Sequence, residues 1–285
     1  MNAPFDIQGH RGARGLAPEN TLPAFEVALE VGVTTLELDI VISADHGVVV
    51  SHDPWFSSKI CSKPNGEPVT EDEEQDHIIY EMRYADVARF DCGKRGHPDF
   101  PRQHPQAAVK PLFRDLIDFA ENCSSKHGRP PPRYNVETKS SPGEDGRLQP
   151  TPDVFVDLIW QVVAEVGIAE RFTLQSFDVR TLQVAEQRKL PIQLSLLVTP
   201  GIQTRKGHLR AGLEDLGFTP DIYSPYFHLV SKKVVRLAHA QGMQVVPWTV
   251  NEADDMVRLR DLGGDGLISD YPDVAMATLT QTRVT

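Results

Sequence analysis

Short β-branched runs alternate with amphipathic helical stretches along most of the chain, and this constrains the fold more than any other feature. It is the pattern of a parallel sheet built from βα units. Strands are predicted at 7–10, 34–40, 134–138, 172–177, 193–198, 222–224, 243–250 and 266–269, which makes eight. Helical stretches fall at 112–126, 153–166, 178–188, 231–241 and 251–262, and Glu19-Asn20-Thr21 with Pro23 opens a further helix. Eight strands with intervening helices fit a closed (β/α)8 TIM barrel, and an open doubly wound sheet is the weaker alternative. At 285 residues a single barrel domain spanning 1–285 accounts for the chain. The stretch 201–221 is ambiguous.

One segment interrupts the alternation. The run 48–52 follows strand 34–40 too closely for the crossover that a parallel neighbour needs, so it reads as the return arm of a hairpin. A turn centred between Asp45 and His46 brings His52 opposite Asp39. Residues 54–110, rich in charge, Pro and Gly, then leave directly from His52-Asp53. Loops of this length are usually functional or disordered, and this one reads as an inserted lid or substrate-selecting subregion. Its acidic run Glu71-Asp72-Glu73-Glu74 reads as a solvated surface.

Barrels of this kind carry their chemistry at the C-terminal ends of strands. Those ends hold His10 and Arg11, Glu37 and Asp39, Glu137 and Lys139, Gln175 and Phe177, Trp248, and Asp270. Glu37 and Asp39 are two apart on one strand, so both face the same side. Glu37, Asp39 and Glu137 offer hard oxygen ligands suited to one divalent cation, Mg2+ or Ca2+. His10 and His52 have the intrinsic pKa, near 6.5, for acid–base work, and Arg11 and Lys139 supply fixed positive charge for phosphoryl oxygens. Singly, each residue has an ordinary structural use: a strand-end histidine as a hydrogen-bonding group, paired carboxylates as partners of Arg or Lys, and the glycine-rich turn 9–15 as an anion nest. Their joint occurrence at strand ends points to metal-assisted phosphodiester chemistry.

Composition narrows the partners. A formal net charge of −11 argues against a nucleic-acid surface, and an anionic ligand needs a locally cationic pocket. No apolar run approaches the roughly 20 residues that cross a bilayer, so no stable membrane insertion is expected. The first residues show no secretory pattern, which makes cytoplasmic the default. Cys61, Cys92 and Cys123, odd in number and widely spaced, read as reduced and structural.

Seven stretches together resemble the glycerophosphodiester phosphodiesterase family, within the wider phospholipase-C-like phosphodiesterase barrels. They are His10-Arg11-Gly12-Ala13, Ala17-Pro18-Glu19-Asn20-Thr21, Glu37-Leu38-Asp39, His52-Asp53, Val136-Glu137-Thr138-Lys139, Trp248-Thr249-Val250-Asn251, and the run from Gly264 to Pro272. The resemblance implies a metal-dependent TIM barrel that converts a small-molecule glycerophosphodiester to sn-glycerol 3-phosphate and an alcohol, within lipid and glycerol metabolism. It implies His10 and His52 as the acid–base pair and Arg11 and Lys139 on the phosphate. Glu37, Asp39 and Glu137 match the family's metal ligands, and Trp248 its aromatic wall beside the glycerol. Gln175 and Phe177 are further substrate-binding candidates from their strand end. Thr138 and Ser269 depart mildly from the family pattern. Two alternatives share the barrel: a lysophospholipase D or sphingomyelinase D-like enzyme, and a phosphodiesterase that stops at a cyclic phosphate. A non-catalytic phosphate-ester binding module fits less well, because every matched position holds a competent residue.

Overall fold

A computed structural model describes residues 4–201 and 207–280. Its first four elements are β1 (Asp6–Gly9), α1 (Leu22–Val31), β2 (Thr35–Ile42) and β3 (Val48–Val50). After the insert come α3 (Phe113–Lys126), β4 (Arg133–Thr138), α4 (Pro152–Val166), β5 (Phe172–Ser176), α5 (Val179–Gln187) and β6 (Gln193–Val198). The last quarter holds α6 (His208–Leu216), β7 (Ile222–Pro225), α7 (Lys232–His239), β8 (Gln244–Val245), α8 (Ala253–Asp261), β9 (Gly266–Ser269) and α9 (Pro272–Leu279). Within the insert, α2 (Tyr84–Val87) is a single turn. The expected helices and strands are present. The eighth strand is shorter than expected, and the ambiguous 201–221 stretch contains α6, with 202–206 outside the described residues.

The parallel strands run in the order β8-β7-β6-β5-β4-β2-β1-β9, each hydrogen-bonded to the next, and β3 pairs antiparallel with β2 off this path. Backbone bonds bring the two ends together: Asp265 N to Val245 O (3.0 Å), Ile268 N to Pro247 O (2.9 Å) and Val250 N to Ile268 O (2.9 Å). The result is a nearly closed eight-stranded barrel. Alternation sorts β2: Leu36, Leu38, Ile40 and Ile42 join the main apolar core, which includes Phe25, Phe113 and Val136, while Glu37 and Asp39 take the other face.

The hairpin differs from its expected register by one residue. Ile40 pairs with Val50, Val41 with Val49 and Ile42 with Val48, so Ser51 rather than His52 lies opposite Asp39, with Ser51 N donating to Asp39 O at 2.9 Å. The cause is the turn. Ser43 N bonds Gly47 O, leaving a three-residue loop in which His46 takes the left-handed conformation (φ 65°). The expected register requires a turn with an even number of residues.

Residues 54–110 form a packed subregion. Its core joins Val41 and Val49 of the hairpin to Phe56, Ile60, Cys61, Val69, Ile79, Val87, Phe90 and Cys92. Phe56 and Phe90 stack with centroids 3.8 Å apart. Cys61 and Cys92 form a disulfide, and Cys123 is free and buried. The expectation of three reduced cysteines is corrected here: spacing alone does not reveal the pair, because the fold of the insert brings its two ends together. The insert leaves and returns beside β3, where Val50 N bonds Pro111 O (2.9 Å) and Lys110 Nζ donates to Ser51 Oγ (2.8 Å).

Candidate active site

The turn after β1 places two of the predicted residues. Arg11 holds a φ of 50°, a conformation costing a non-glycine residue about 1 kcal/mol, and Gly12 follows at φ 85°. A Cβ on Gly12 would lie 2.6 Å from the Ala24 carbonyl carbon, so the close approach to α1 needs glycine. Two bonds hold this turn against β2: Arg11 N donates to Glu37 Oε2 (2.9 Å) and Gly12 N to Glu37 O (3.1 Å).

Parallel register builds the carboxylate cluster. Asp39 pairs with Glu137, and Glu137 with Gln175, so neighbouring strands present these side chains at one level. Glu37, Asp39 and Glu137 are buried, and one oxygen from each lies within 4.8 Å of the others. Asn20 clamps Asp39 from the α1 side: its Nδ2 donates to Asp39 Oδ2 (2.8 Å) and its Oδ1 accepts from Asp39 N (3.3 Å). Lys139 Nζ donates to Glu137 Oε1 (2.7 Å) and stands 3.6 Å from Asp39 Oδ1. Arg11 Nη1 donates to Glu19 Oε1 (2.7 Å), and Arg14 Nε to Glu19 Oε2 (2.5 Å). Arg11 Nε lies 3.2 Å from Asp39 Oδ2, yet its N–H finds no hydrogen-bond partner among the described residues.

These contacts set the protonation balance. Burial opposes ionisation of Asp39, but Arg11 and Lys139 outweigh it and hold the carboxyl far below its ordinary value. Burial raises the Glu37 carboxyl well above its ordinary value, with the Asp39 charge adding to the rise, and it raises Glu137 despite Lys139. The cluster thus sets three carboxylates against the cations of Arg11 and Lys139. A divalent cation fits this surplus of buried hard oxygen donors and relieves their repulsion.

Each histidine is oriented by its own carboxylate. His10 Nδ1 is 2.5 Å from Asp270 Oδ1, which leaves Nε2 turned toward the cluster, 4.0 Å from Glu37 Oε2. Asn251 in turn holds Asp270, donating from Nδ2 to Oδ2 (2.8 Å) and accepting the Asp270 N–H at Oδ1 (3.0 Å). His52 Nδ1 meets Asp53 Oδ1 at 2.8 Å. Burial lowers both imidazole pKa values below 6.5, partly offset at His10 by Asp270; at His52 the Arg11 charge adds to the lowering. The one-residue register shift leaves His52 within electrostatic reach of Asp39, Arg11 and Lys139, because it lies beyond the paired part of the hairpin, which ends at Val50.

The remaining predicted residues divide. Phe177, 40% exposed, meets Trp248 edge-to-face with centroids 5.3 Å apart, and Tyr226 adds a second edge-to-face contact to Trp248 at 5.7 Å. Trp248 Nε1 donates to Ser224 O (2.9 Å), fixing this aromatic side of the mouth. Gln175 instead sits inside the barrel, its Nε2 donating to Glu37 Oε1 (2.6 Å). Sequence reasoning assigned no role to Glu19, Asn20, Asn251, Asp53 or Asp270. Their signals were present in the polar run Glu19-Asn20 before α1, in the carboxylate beside His52, and in the strand-end position of Asp270.

Comparison with known proteins gives a consistent picture. The sequence model described as "Glycerophosphoryl diester phosphodiesterase family" matches residues 10–274. A glycerophosphodiester phosphodiesterase of Bacillus altitudinis is 25% identical, over 95% of this chain and 96% of its own. The Homo sapiens lysophospholipase D GDPD1 is 52% identical, over 92% of this chain and 82% of its own. A putative glycerophosphoryl diester phosphodiesterase from Silicibacter pomeroyi has a crystal structure similar at TM-score 0.86 and 28% identity, covering 98% of this chain and 94% of that one. An Oleispira antarctica phosphodiesterase, solved with the product sn-glycerol-3-phosphate, shares the fold at TM-score 0.72 and 20% identity, with 97% of each chain covered.

Proposed function

The chain belongs to the glycerophosphoryl diester phosphodiesterase family, a family of phosphoric diester hydrolases, and we propose that it hydrolyses glycerophosphodiesters to sn-glycerol 3-phosphate and an alcohol. One observation carries this reading. Two imidazoles, each held at Nδ1 by its own carboxylate, accompany the three-carboxylate cluster and the cations of Arg11 and Lys139. His10 and His52 form the acid–base pair: one imidazole takes the proton of the attacking oxygen, and the other gives a proton to the departing alkoxide. Both rings are biased toward the neutral form before substrate arrives, which suits the base. The negative charge of the diester favours protonation of the other.

Arg11 and Lys139, which approach the two oxygens of Asp39, supply the positive charge for the non-bridging phosphoryl oxygens. Glu37, Asp39 and Glu137 would hold Mg2+ or Ca2+, which when bound supplies Lewis-acid polarisation of the phosphoryl group. Gln175 orients Glu37, while Trp248 and Phe177 form the apolar wall for the glycerol carbons. Residues 54–110 act as the substrate-selecting subregion of a single domain. A Cys61–Cys92 disulfide persists in an oxidising compartment, so cytoplasmic residence requires that these thiols be found reduced in cells alkylated at lysis.

The test is a substrate panel with metal removed by chelator and restored. Release of glycerol 3-phosphate from glycerophosphocholine or glycerophosphoethanolamine, lost on chelation and regained with Mg2+ or Ca2+, is expected. Silence toward every diester sinks the proposal. The human relative's name favours a second reading, in which the same site acts on a lysophospholipid. No helix among the described residues is long and apolar enough to cross a membrane, and the deacylated diester remains the first reading. Faster turnover of lysophosphatidylcholine than of any deacylated diester reverses that preference. Phosphorus NMR of the products separates water attack from the cyclising route.

A further inference from the structure

Beneath the carboxylates, a chain of buried amides runs down the barrel axis. Gln175 Nε2 donates to Glu37 Oε1 (2.6 Å), and Gln175 Oε1 accepts from Asn135 Nδ2 (3.0 Å). The same Asn135 nitrogen donates to Gln8 Oε1 (2.7 Å), and Gln8 Nε2 donates to Asp6 Oδ2 (2.7 Å). Gln8, Asn135, Gln175 and Glu37 are each at most 2% exposed, so bulk water does not compete for these groups.

The bond directions follow once Glu37 is ionised, as a ligand of a bound cation would be. An ionised carboxylate only accepts, so each end then demands the NH2 side of its neighbouring glutamine. Both glutamine carbonyls therefore point inward, toward Asn135. Two acceptors meeting at one place need a single group with two N–H donors, and the asparagine amide nitrogen supplies them. The cost of this arrangement is visible: Asn135 Oδ1 is buried with no hydrogen-bond partner among the described residues. Leaving a buried carbonyl unsatisfied is costly and asks for a compensating role.

We infer that Asn135 is a positioning residue for the metal site: by fixing which way the Gln175 amide faces, it keeps a donor on Glu37 and the carboxylate aimed into the cluster. This rests on the reading of Glu37 as a metal ligand. Without the two donors of Asn135, Gln175 Oε1 loses its anchor and Glu37 alone holds the amide. Asn135→Asp works against that hold, since a carboxylate there faces both glutamine carbonyls with acceptors alone and favours turning Gln175 Oε1 toward Glu37. Asn135→Leu merely releases the amide.

The experiment is calorimetric titration of the purified protein with Mg2+ and with Ca2+, in the absence of substrate. Partners in the shell around metal ligands typically change affinity by 10–100-fold. Asn135→Asp is expected to weaken binding by about that range, and Asn135→Leu by about tenfold, at the lower end. Asn135→Leu decides the matter if Asn135→Asp fails to fold. A residue acting through Gln175 shows a second signature: in a Gln175→Met background, Asn135→Leu adds no further loss of affinity. A purely structural role lowers Tm and leaves the metal titration unchanged. Variants that bind within twofold of wild type, or losses that add in the double variant, overturn the inference while the metal-site reading stands. A wild-type protein that binds neither ion overturns both.

Discussion

One face of β2 serves two regions of contrasting chemistry. Glu37 and Asp39 point into the barrel mouth, and Val41, two residues further on the same face, points into the apolar core of the insert. The mouth is held by hydrogen bonds from distant parts of the chain: Arg11 N, Asn20 Nδ2, Lys139 Nζ and Gln175 Nε2 all end on its carboxylates. The insert is held by the Phe56–Phe90 stack and the Cys61–Cys92 bond, both internal to it. A charged site needs specific partners for each oxygen, and strand ends with the turns that follow them supply these from separate parts of the chain. An apolar core needs only volume and exclusion of water, which a local segment supplies together with Val41 and Val49 of the adjoining hairpin.

This contrast predicts that the two regions fail separately. The largest effect belongs to the mouth: His10→Ala and His52→Ala each lower kcat by about 100- to 10,000-fold, with denaturant midpoints near wild type. Near-normal turnover in either removes that imidazole from acid–base work. Next comes the insert, where Phe56→Ala costs about 3–5 kcal/mol by urea unfolding, while Mg2+ or Ca2+ affinity of the folded protein stays within twofold. A comparable loss of metal affinity breaks the separation.

Replacing Cys61 and Cys92 together by serine costs about 2–4 kcal/mol, since the bond closes a loop of 31 residues in sequence. Thermal unfolding measures the cost, and the acid–base profile of the enzyme stays put. The smallest effect sharpens the site itself. Asp53 raises the His52 pKa against burial and Arg11, so Asp53→Asn lowers it further. The limb of kcat/KM set by His52 then moves to lower pH, by less than about one unit. A shift to higher pH contradicts the assigned pairing.

Much of the site was legible because strand ends are legible. Glu37 and Asp39 two residues apart share a face by geometry alone, and Glu137-Thr138-Lys139 marks the end of β4 in the same way. The hairpin register was not, since one residue in a left-handed conformation at His46 changes the turn from two residues to three. Nor was the use of Gln175, whose strand-end position suggested substrate but whose amide is taken by Glu37 and Asn135. The two carboxylates that orient the histidines divide: Asp53 is adjacent to its partner, whereas Asp270 comes from the opposite end of the chain.

By itself the sequence determined the alternation of strands and helices, the inward face of β2, and the residue types able to bind a cation and move protons. Those follow from local periodicity and side-chain chemistry, which need no knowledge of distant neighbours. The tertiary structure decided which oxygens meet which donors, that β9 lies beside β1 so that Asp270 reaches His10, and that Cys61 finds Cys92. These depend on barrel closure and on the packing of the insert, where residues far apart in sequence become neighbours and each partner is chosen by register.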